Sequence, residues 1–114
     1  AQLVKEKVRI AEIYDNRSVA EQNSVALSWD LFMSDEYREL RECICPTKVE
    51  LNRFRELMVN AVMATDIVDK ELKVLRNGRW DKAFKGHDES ADDAVNRKAT
   101  IVIEHLIQAS DVSH

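Results

Sequence analysis

Apolar residues recur at alternating spacings of three and four between residues 47 and 75, which places them along one face of a helix. They are Leu51, Phe54, Met58, Ala61, Val68, Leu72 and Leu75. One position on this stripe is polar, because Thr65 stands where an apolar side chain is expected. A buried hydroxyl must find a hydrogen-bond partner or destabilise the fold. The pattern predicts one long helix that opens at Thr47 and closes at Asn77 and Gly78.

The same periodicity predicts four further helices. They cover residues 2–14, residues 18–33, residues 36–43 and a last stretch from about residue 90 to the end. Capping boxes of the form S/T-x-x-E are predicted at Ser18 with Glu21 and at Thr47 with Glu50. Residues 79–89 lose the helical period, so they are predicted to form a loop whose aromatic side chains pack on neighbouring helices.

Composition supports an all-α helical bundle within one domain. The chain has 114 residues, of which 45% are hydrophobic, with only two glycines and one proline. Its β-branched residues do not alternate with polar ones between turn signals, as they would in strands. The length and apolar content suffice for a hydrophobic core.

Charge and cysteine content limit the compartment and the partners. There are 17 basic and 21 acidic residues, giving a formal net charge of -4, and no basic cluster is interleaved with aromatics. Nucleic acid is therefore not an expected partner. No apolar run approaches the roughly 18 residues of a membrane-spanning helix. Cys43 and Cys45 are one residue apart, which favours reduced thiols and a cytoplasmic location.

Three polar residues lie at or beside predicted apolar faces: Glu21, Thr65 and Asp111. On the last helix Asp111 and His114 share a face, and a carboxylate beside an imidazole is half of a metal site. Each residue also has a structural explanation, since Glu21 fits a capping box, Thr65 can bond a carbonyl one turn back, and Asp111 can face water. No nucleophile motif or phosphate-binding glycine loop is present, so an enzyme of this sequence would use a metal-activated water.

Three segments together resemble the catalytic domain of the class I 3′,5′-cyclic nucleotide phosphodiesterases, all-helical metal hydrolases with an HD-type site. Residues 14–23, YDNRSVAEQN, resemble the family's Y-N-D-x-S-V-L-E-N-H. Residues 62–67, VMATDI, are similar to its L-A-T-D-M segment, and residues 108–114, QASDVSH, to its C-A-D-L-S-N segment. The three occur in the family's order and together span almost the whole chain.

The resemblance implies roles for individual residues. Asp111 matches the aspartate that binds the catalytic metals, and Glu21 and Thr65 match residues that hold metal-bound waters. Tyr14, Asp66 and His114 are expected near the substrate pocket. The implied cofactors are two divalent ions, zinc together with magnesium or manganese, whose bridging hydroxide attacks the phosphate of cyclic AMP or cyclic GMP in signal transduction.

Some positions depart from the family pattern. Asp15 and Asn16 exchange the family's order, Asn23 and Ser24 replace a histidine pair, and His114 replaces an asparagine. The family's H-N-x-x-H and H-D-x-x-H motifs, which include the proposed general acid, do not occur in residues 1–114. We therefore expect an internal part of a catalytic domain, inactive alone and prone to self-association through its exposed apolar faces.

Two alternatives remain open at the level of sequence. One is a non-catalytic interaction module that uses the stripe from Leu51 to Leu75 as a coiled-coil seam. The other is a different helical HD-type phosphohydrolase. The parent protein is expected to be cytoplasmic, or to carry this segment in the cytosolic domain of a larger membrane protein.

Overall fold

The structure, a computed structural model, describes residues 2–5, 9–85 and 91–113. These residues form helices and no strand, which confirms the all-α class. In order, the helices are α1 (Gln2–Lys5), α2 (Arg9–Ile13), α3 (Val19–Met33), a 3₁₀ helix (Asp35–Tyr37), α4 (Arg38–Ile44), α5 (Lys48–Ala64), α6 (Lys70–Lys85) and α7 (Ala91–Val112). The chain forms two compact units, Ala1–Met63 and Ala64–His114. None of the described helices is long and apolar enough to cross a membrane.

The turn before α3 overturns the first predicted capping box. Asp15, Asn16 and Ser18 all have positive φ angles, and Ser18 precedes α3 with φ 39° and ψ 44°. An N-cap residue whose side chain accepts from the first turn typically has an extended backbone. Ser18 accordingly makes no side-chain capping hydrogen bond, and the prediction of a box between Ser18 and Glu21 is wrong.

Aromatic packing joins α3 and α5 in the first unit. The Phe32 and Phe54 rings stack with centroids 5.0 Å apart, and Trp29 lies 5.8 Å from Phe32. The Arg55 guanidinium covers the Trp29 ring at 5.5 Å. After α3, Arg41 Nη1 donates to the Phe32 carbonyl oxygen at 2.6 Å, which ties α4 to the end of α3.

The capping box at the start of α5 is confirmed. Thr47 Oγ1 accepts from the Glu50 backbone N–H at 3.2 Å, and Glu50 Oε2 accepts from the Thr47 backbone N–H at 3.0 Å. Two N–H groups that have no partner within the helix are thereby satisfied at its first turn.

The single long helix predicted from residue 47 to residue 75 is wrong, because the chain leaves the helix after Ala64 and re-enters at Lys70. Two aspartates explain the break. Asp66 Oδ1 accepts from the backbone N–H groups of Val68 at 3.0 Å and Asp69 at 3.2 Å. Short carboxylates compete with helical hydrogen bonds in this way. The coiled-coil alternative loses its basis, since its seam would cross the break.

The predicted helix end at Asn77 and Gly78 and the loop after it are also wrong. Helix α6 continues through both residues to Lys85, while residues 86–90 lie outside the described part. Gly78 has no positive φ angle, so it does not close a turn. Tertiary packing holds this stretch helical at a local cost of about 1 kcal/mol for a glycine in a helix interior.

Helices α6 and α7 pack together in the second unit. Ala83 and Ile101 are buried, and Trp80 lies against the His105 ring with centroids 4.8 Å apart. The loop prediction thus failed in backbone conformation, although its Trp80 does contact a neighbouring helix. Beside this contact Arg79 pairs with Glu104 across the two helices, with Nη1 3.0 Å from Oε1.

Candidate functional site

The candidate site is built on the link between α5 and α6, which comprises residues 65–69. Asp69 caps α6, because its Oδ1 accepts from the backbone N–H groups of Glu71 at 2.9 Å and Leu72 at 3.1 Å. Asp66 fixes the preceding turn with its own carboxylate. Capping at both steps sets the direction in which the chain leaves Thr65.

Arg76 holds the link in place through hydrogen bonds to backbone carbonyl oxygens. Its Nη1 donates to the Ala64 carbonyl oxygen at 2.9 Å, and its Nη2 donates to the Asp66 carbonyl oxygen at 2.5 Å. The first of these carbonyls belongs to the last turn of α5, where no intrahelical partner exists. Charge-assisted hydrogen bonds of this kind hold the backbone on both sides of Thr65.

Thr65 and Asp111 line the same open hollow, of about 460 Å³, in the second unit. Thr65 is half-buried, and Asp111 is exposed at the end of α7. The remaining lining residues are Leu106, Ile107 and Ser110. We refer to this feature as the Thr65–Asp111 hollow. Two residues singled out from the sequence, far apart along the chain, are brought to one place.

The lining combines oxygen donors with an apolar wall. The Asp111 carboxylate is the charged group of the Thr65–Asp111 hollow, and Ser110 donates its hydroxyl proton to the Leu106 carbonyl oxygen at 2.8 Å. Carboxylate oxygens are the ligands that magnesium and manganese prefer, and zinc accepts them as well. The donor chemistry therefore fits part of a divalent metal site. Among the described residues no group of three or more His, Cys, Asp or Glu side chains could hold a metal ion.

The other predicted site residues within the described part of the chain are not among those that line the Thr65–Asp111 hollow. Glu21 is half-buried in the first turn of α3, and Tyr14 is half-buried in the turn after α2, both in the first unit. Asp66 is buried in the link, where it accepts backbone N–H groups. His114 lies outside the described residues. The convergence of Glu21 with the hollow, and the pocket roles of Tyr14, Asp66 and His114, stay predictions.

Sequence reasoning missed several parts of this region. Ser110 stands directly before Asp111 in the sequence, and this proximity could have marked it as a candidate. Leu106 could not be singled out, because it is one of several similar apolar positions on α7. Arg76 gave no signal, because one arginine among the charged residues of α6 does not reveal that it reaches back across the link. His105 is held in place on α7, because its Nδ1 bonds the Ile101 carbonyl oxygen at 2.8 Å.

Comparison with known proteins identifies the family of this chain. The model of the 3'5'-cyclic nucleotide phosphodiesterase family matches residues 1–114. A human protein named cGMP-inhibited 3',5'-cyclic phosphodiesterase 3A is 43% identical over 58 residues, and those of rat and mouse are each 41% identical over 58 residues. The matched stretch covers 50% of this chain and 5% of each relative's length. No solved structure shows a significant match.

Proposed function

This chain belongs to the 3'5'-cyclic nucleotide phosphodiesterase family, and we propose that it contributes to a catalytic domain that hydrolyses a cyclic nucleotide to its 5′-nucleotide. The observation that carries the proposal is that Thr65 and Asp111 line one hollow. These are a hydroxyl and a carboxylate to which the family resemblance gives neighbouring roles. Their presence in the lining of one hollow supports a shared site, because a helix bundle offers many other places for two such side chains.

Family membership implies divalent metals, and we propose zinc with magnesium or manganese. Such ions, when bound, polarise phosphoryl oxygens and lower the pKa of a coordinated water. Asp111 would hold the metals through its carboxylate, which solvent reaches from the open hollow. One carboxylate cannot hold two ions, so a complete site needs further ligands.

The remaining residues would orient water and substrate. Thr65 supplies a hydroxyl on a backbone that Arg76 and Asp66 fix from both sides, which suits a group that must hold water in one orientation. Glu21 would act similarly. The Ser110 hydroxyl donates its hydrogen bond to the Leu106 carbonyl oxygen, so toward a water its oxygen can only accept.

We propose that the substrate is cyclic AMP or cyclic GMP and that the activity serves cyclic-nucleotide signalling. Tyr14, Asp66 and His114 would lie near the substrate pocket. Asp66 is buried and engaged with backbone N–H groups, so its contribution would be to position the pocket wall. We place the protein in the cytoplasm, which is consistent with Cys43 and Cys45 as free thiols.

The test is hydrolysis of cyclic AMP and cyclic GMP by the full-length protein with magnesium or manganese present. Asp111→Asn keeps the size of the side chain but removes its charge. We expect it to lower the rate of hydrolysis at least about 100-fold and to lower the content of bound metal, measured by mass spectrometry. Thr65→Ala should lose roughly tenfold with metal content retained, while Thr65→Ser keeps the hydroxyl and most of the activity.

Ser113→Ala is the matched control, since Ser113 lies two residues from Asp111 and bonds only the Ser110 carbonyl oxygen among the described residues. It should leave both turnover and metal content unchanged. If Asp111→Asn retained turnover and metal within about twofold of the wild type, the assignment of Asp111 would be rejected.

A further inference from the structure

A second hollow, of about 210 Å³, lies between α6 and α7, and we refer to it as the polar hollow. Its lining residues are Ile67, Lys73, Arg76, Asn77, His105 and Gln108. The described lining contains two cations, two carboxamides and an imidazole, but no acidic side chain. At 100° per residue, His105 and Gln108 lie on the side of α7 roughly opposite the residues that line the Thr65–Asp111 hollow.

Arg76 brings a fixed positive charge to the polar hollow. Its three described hydrogen bonds, to the carbonyl oxygens of Ala64, Asp66 and Leu72, hold the guanidinium in place without neutralising it. Arginine has five N–H donors, so two remain available after these bonds. The backbone thus pre-orients the cation, which reduces the entropy that a ligand would otherwise have to remove.

The other donors are uncommitted within the described part of the chain. The side chains of Lys73, Asn77 and Gln108 make no hydrogen bond or ion pair with any described residue. The His105 ring is different, because Nδ1 bonds the Ile101 carbonyl oxygen and the ring packs against Trp80. His105 therefore acts as a fixed wall, while the ammonium and the two carboxamides can turn toward a ligand.

This set of donors matches an anion rich in acceptor oxygens. Ammonium, guanidinium and carboxamide N–H groups are the partners that phosphate oxygens take, and a cleft of one sign of charge concentrates counter-ions. The hollow is smaller than the roughly 300 Å³ at which pockets for drug-sized molecules begin. We propose that the polar hollow binds a small phosphate-type anion, either free phosphate or a small phosphate monoester.

The test is a titration of the full-length protein with inorganic phosphate, and in a second arm with methyl phosphate, at ionic strength kept constant with sodium chloride. Two-dimensional NMR follows the backbone amides of Lys73 and Asn77 and the side-chain amides of Asn77 and Gln108. We expect saturable shifts at these groups in at least one arm. The arm with tighter binding identifies free phosphate or its monoesters as the ligand class.

Two charge-reversal variants on α6 distinguish anion binding in the polar hollow from nonspecific attraction to the net charge of the protein. Lys73→Glu places a carboxylate in the polar hollow, and it should weaken binding at least about tenfold. Lys82→Glu is the matched control, because Lys82 is an exposed lysine on the opposite face of α6 and the reversal changes the net charge equally. It should bind with unchanged affinity, and circular dichroism should show both variants helical.

Two results would overturn the proposal. One is the absence of saturable shifts at Lys73, Asn77 and Gln108 in both arms. The other is equal weakening by Lys73→Glu and Lys82→Glu, which would reduce the effect to net charge. Neither readout requires turnover or bound metal, so failure here leaves the hydrolysis test of Asp111 untouched.

Discussion

The ion pair between Arg79 and Glu104 gives a sharp test of how the second unit is held together. The Glu104 side chain is 6% exposed, whereas that of Arg79 is 42% exposed. Arg79 Nη1 donates to Glu104 Oε2 at 3.2 Å and lies 3.0 Å from Oε1, which has no hydrogen bond of its own within the described residues. Arg79→Ala would leave a buried carboxylate without its cation.

Removal of one partner from a fully buried pair typically costs about 3–5 kcal/mol of unfolding free energy. Because Arg79 is partly solvated, water already screens its attraction to Glu104. We therefore expect Arg79→Ala to lower the unfolding free energy by about 2–3 kcal/mol. The double variant Arg79→Leu with Glu104→Leu should lose less than about 1 kcal/mol, because two apolar side chains replace the pair without leaving a charge behind. The single and double variants should therefore be strongly non-additive.

Urea unfolding followed by far-ultraviolet circular dichroism measures these free energies. Lys85→Ala is the matched control on the same helix, since Lys85 pairs with Asp81 at 2.6 Å but the two side chains are 74% and 57% exposed. Although its atoms are closer together, this pair is screened by water, so Lys85→Ala should lower the unfolding free energy by less than about 0.5 kcal/mol. If Lys85→Ala destabilised the protein as much as Arg79→Ala, burial would not be the source of the effect.

Three other outcomes follow from the described geometry. Gly78→Ala should raise the unfolding free energy by up to about 1 kcal/mol, since nothing lies within 4 Å of the added Cβ in α6; a loss in urea unfolding would contradict this. Asp69→Ala should cost about 1 kcal/mol in the same assay, because two N–H groups lose their cap, while Asp69→Asn should recover most of it. The isolated 114-residue polypeptide should show no turnover, because one carboxylate cannot hold two ions, and measured turnover would contradict this. It should also self-associate, because large apolar side chains such as Val74 and Leu106 are exposed, and a monodisperse monomer in light scattering would contradict that.

Helix existence was largely predictable from the sequence. The periodic segments that became α3 and α7 were found with nearly their observed ends, and the box of Thr47 with Glu50 marked the start of α5. These features depend on residues within a turn or two of each other. Local hydrogen bonds and side-chain periodicity are sufficient to specify them.

The errors fell where local preferences compete. Gly78 is a good helix terminator in isolation, yet the packing of Trp80 and Arg79 against α7 outweighs that preference. The apolar stripe that crosses Thr65 predicts one continuous helix because its spacing is continuous. The aspartates at positions 66 and 69 were the signal for the break, since short carboxylates favour turns and helix caps.

The sequence by itself determined the all-α class, most of the helices and the choice of Thr65 and Asp111 as candidate residues. Only the tertiary structure decided that these two line one hollow, that Arg76 fastens the link beside Thr65, and that Glu104 is buried against Arg79. The physical reason is the range of the interactions. Periodicity and capping act within a few residues, whereas a shared hollow or a buried ion pair depends on how distant helices dock, and sequence spacing carries no record of that docking.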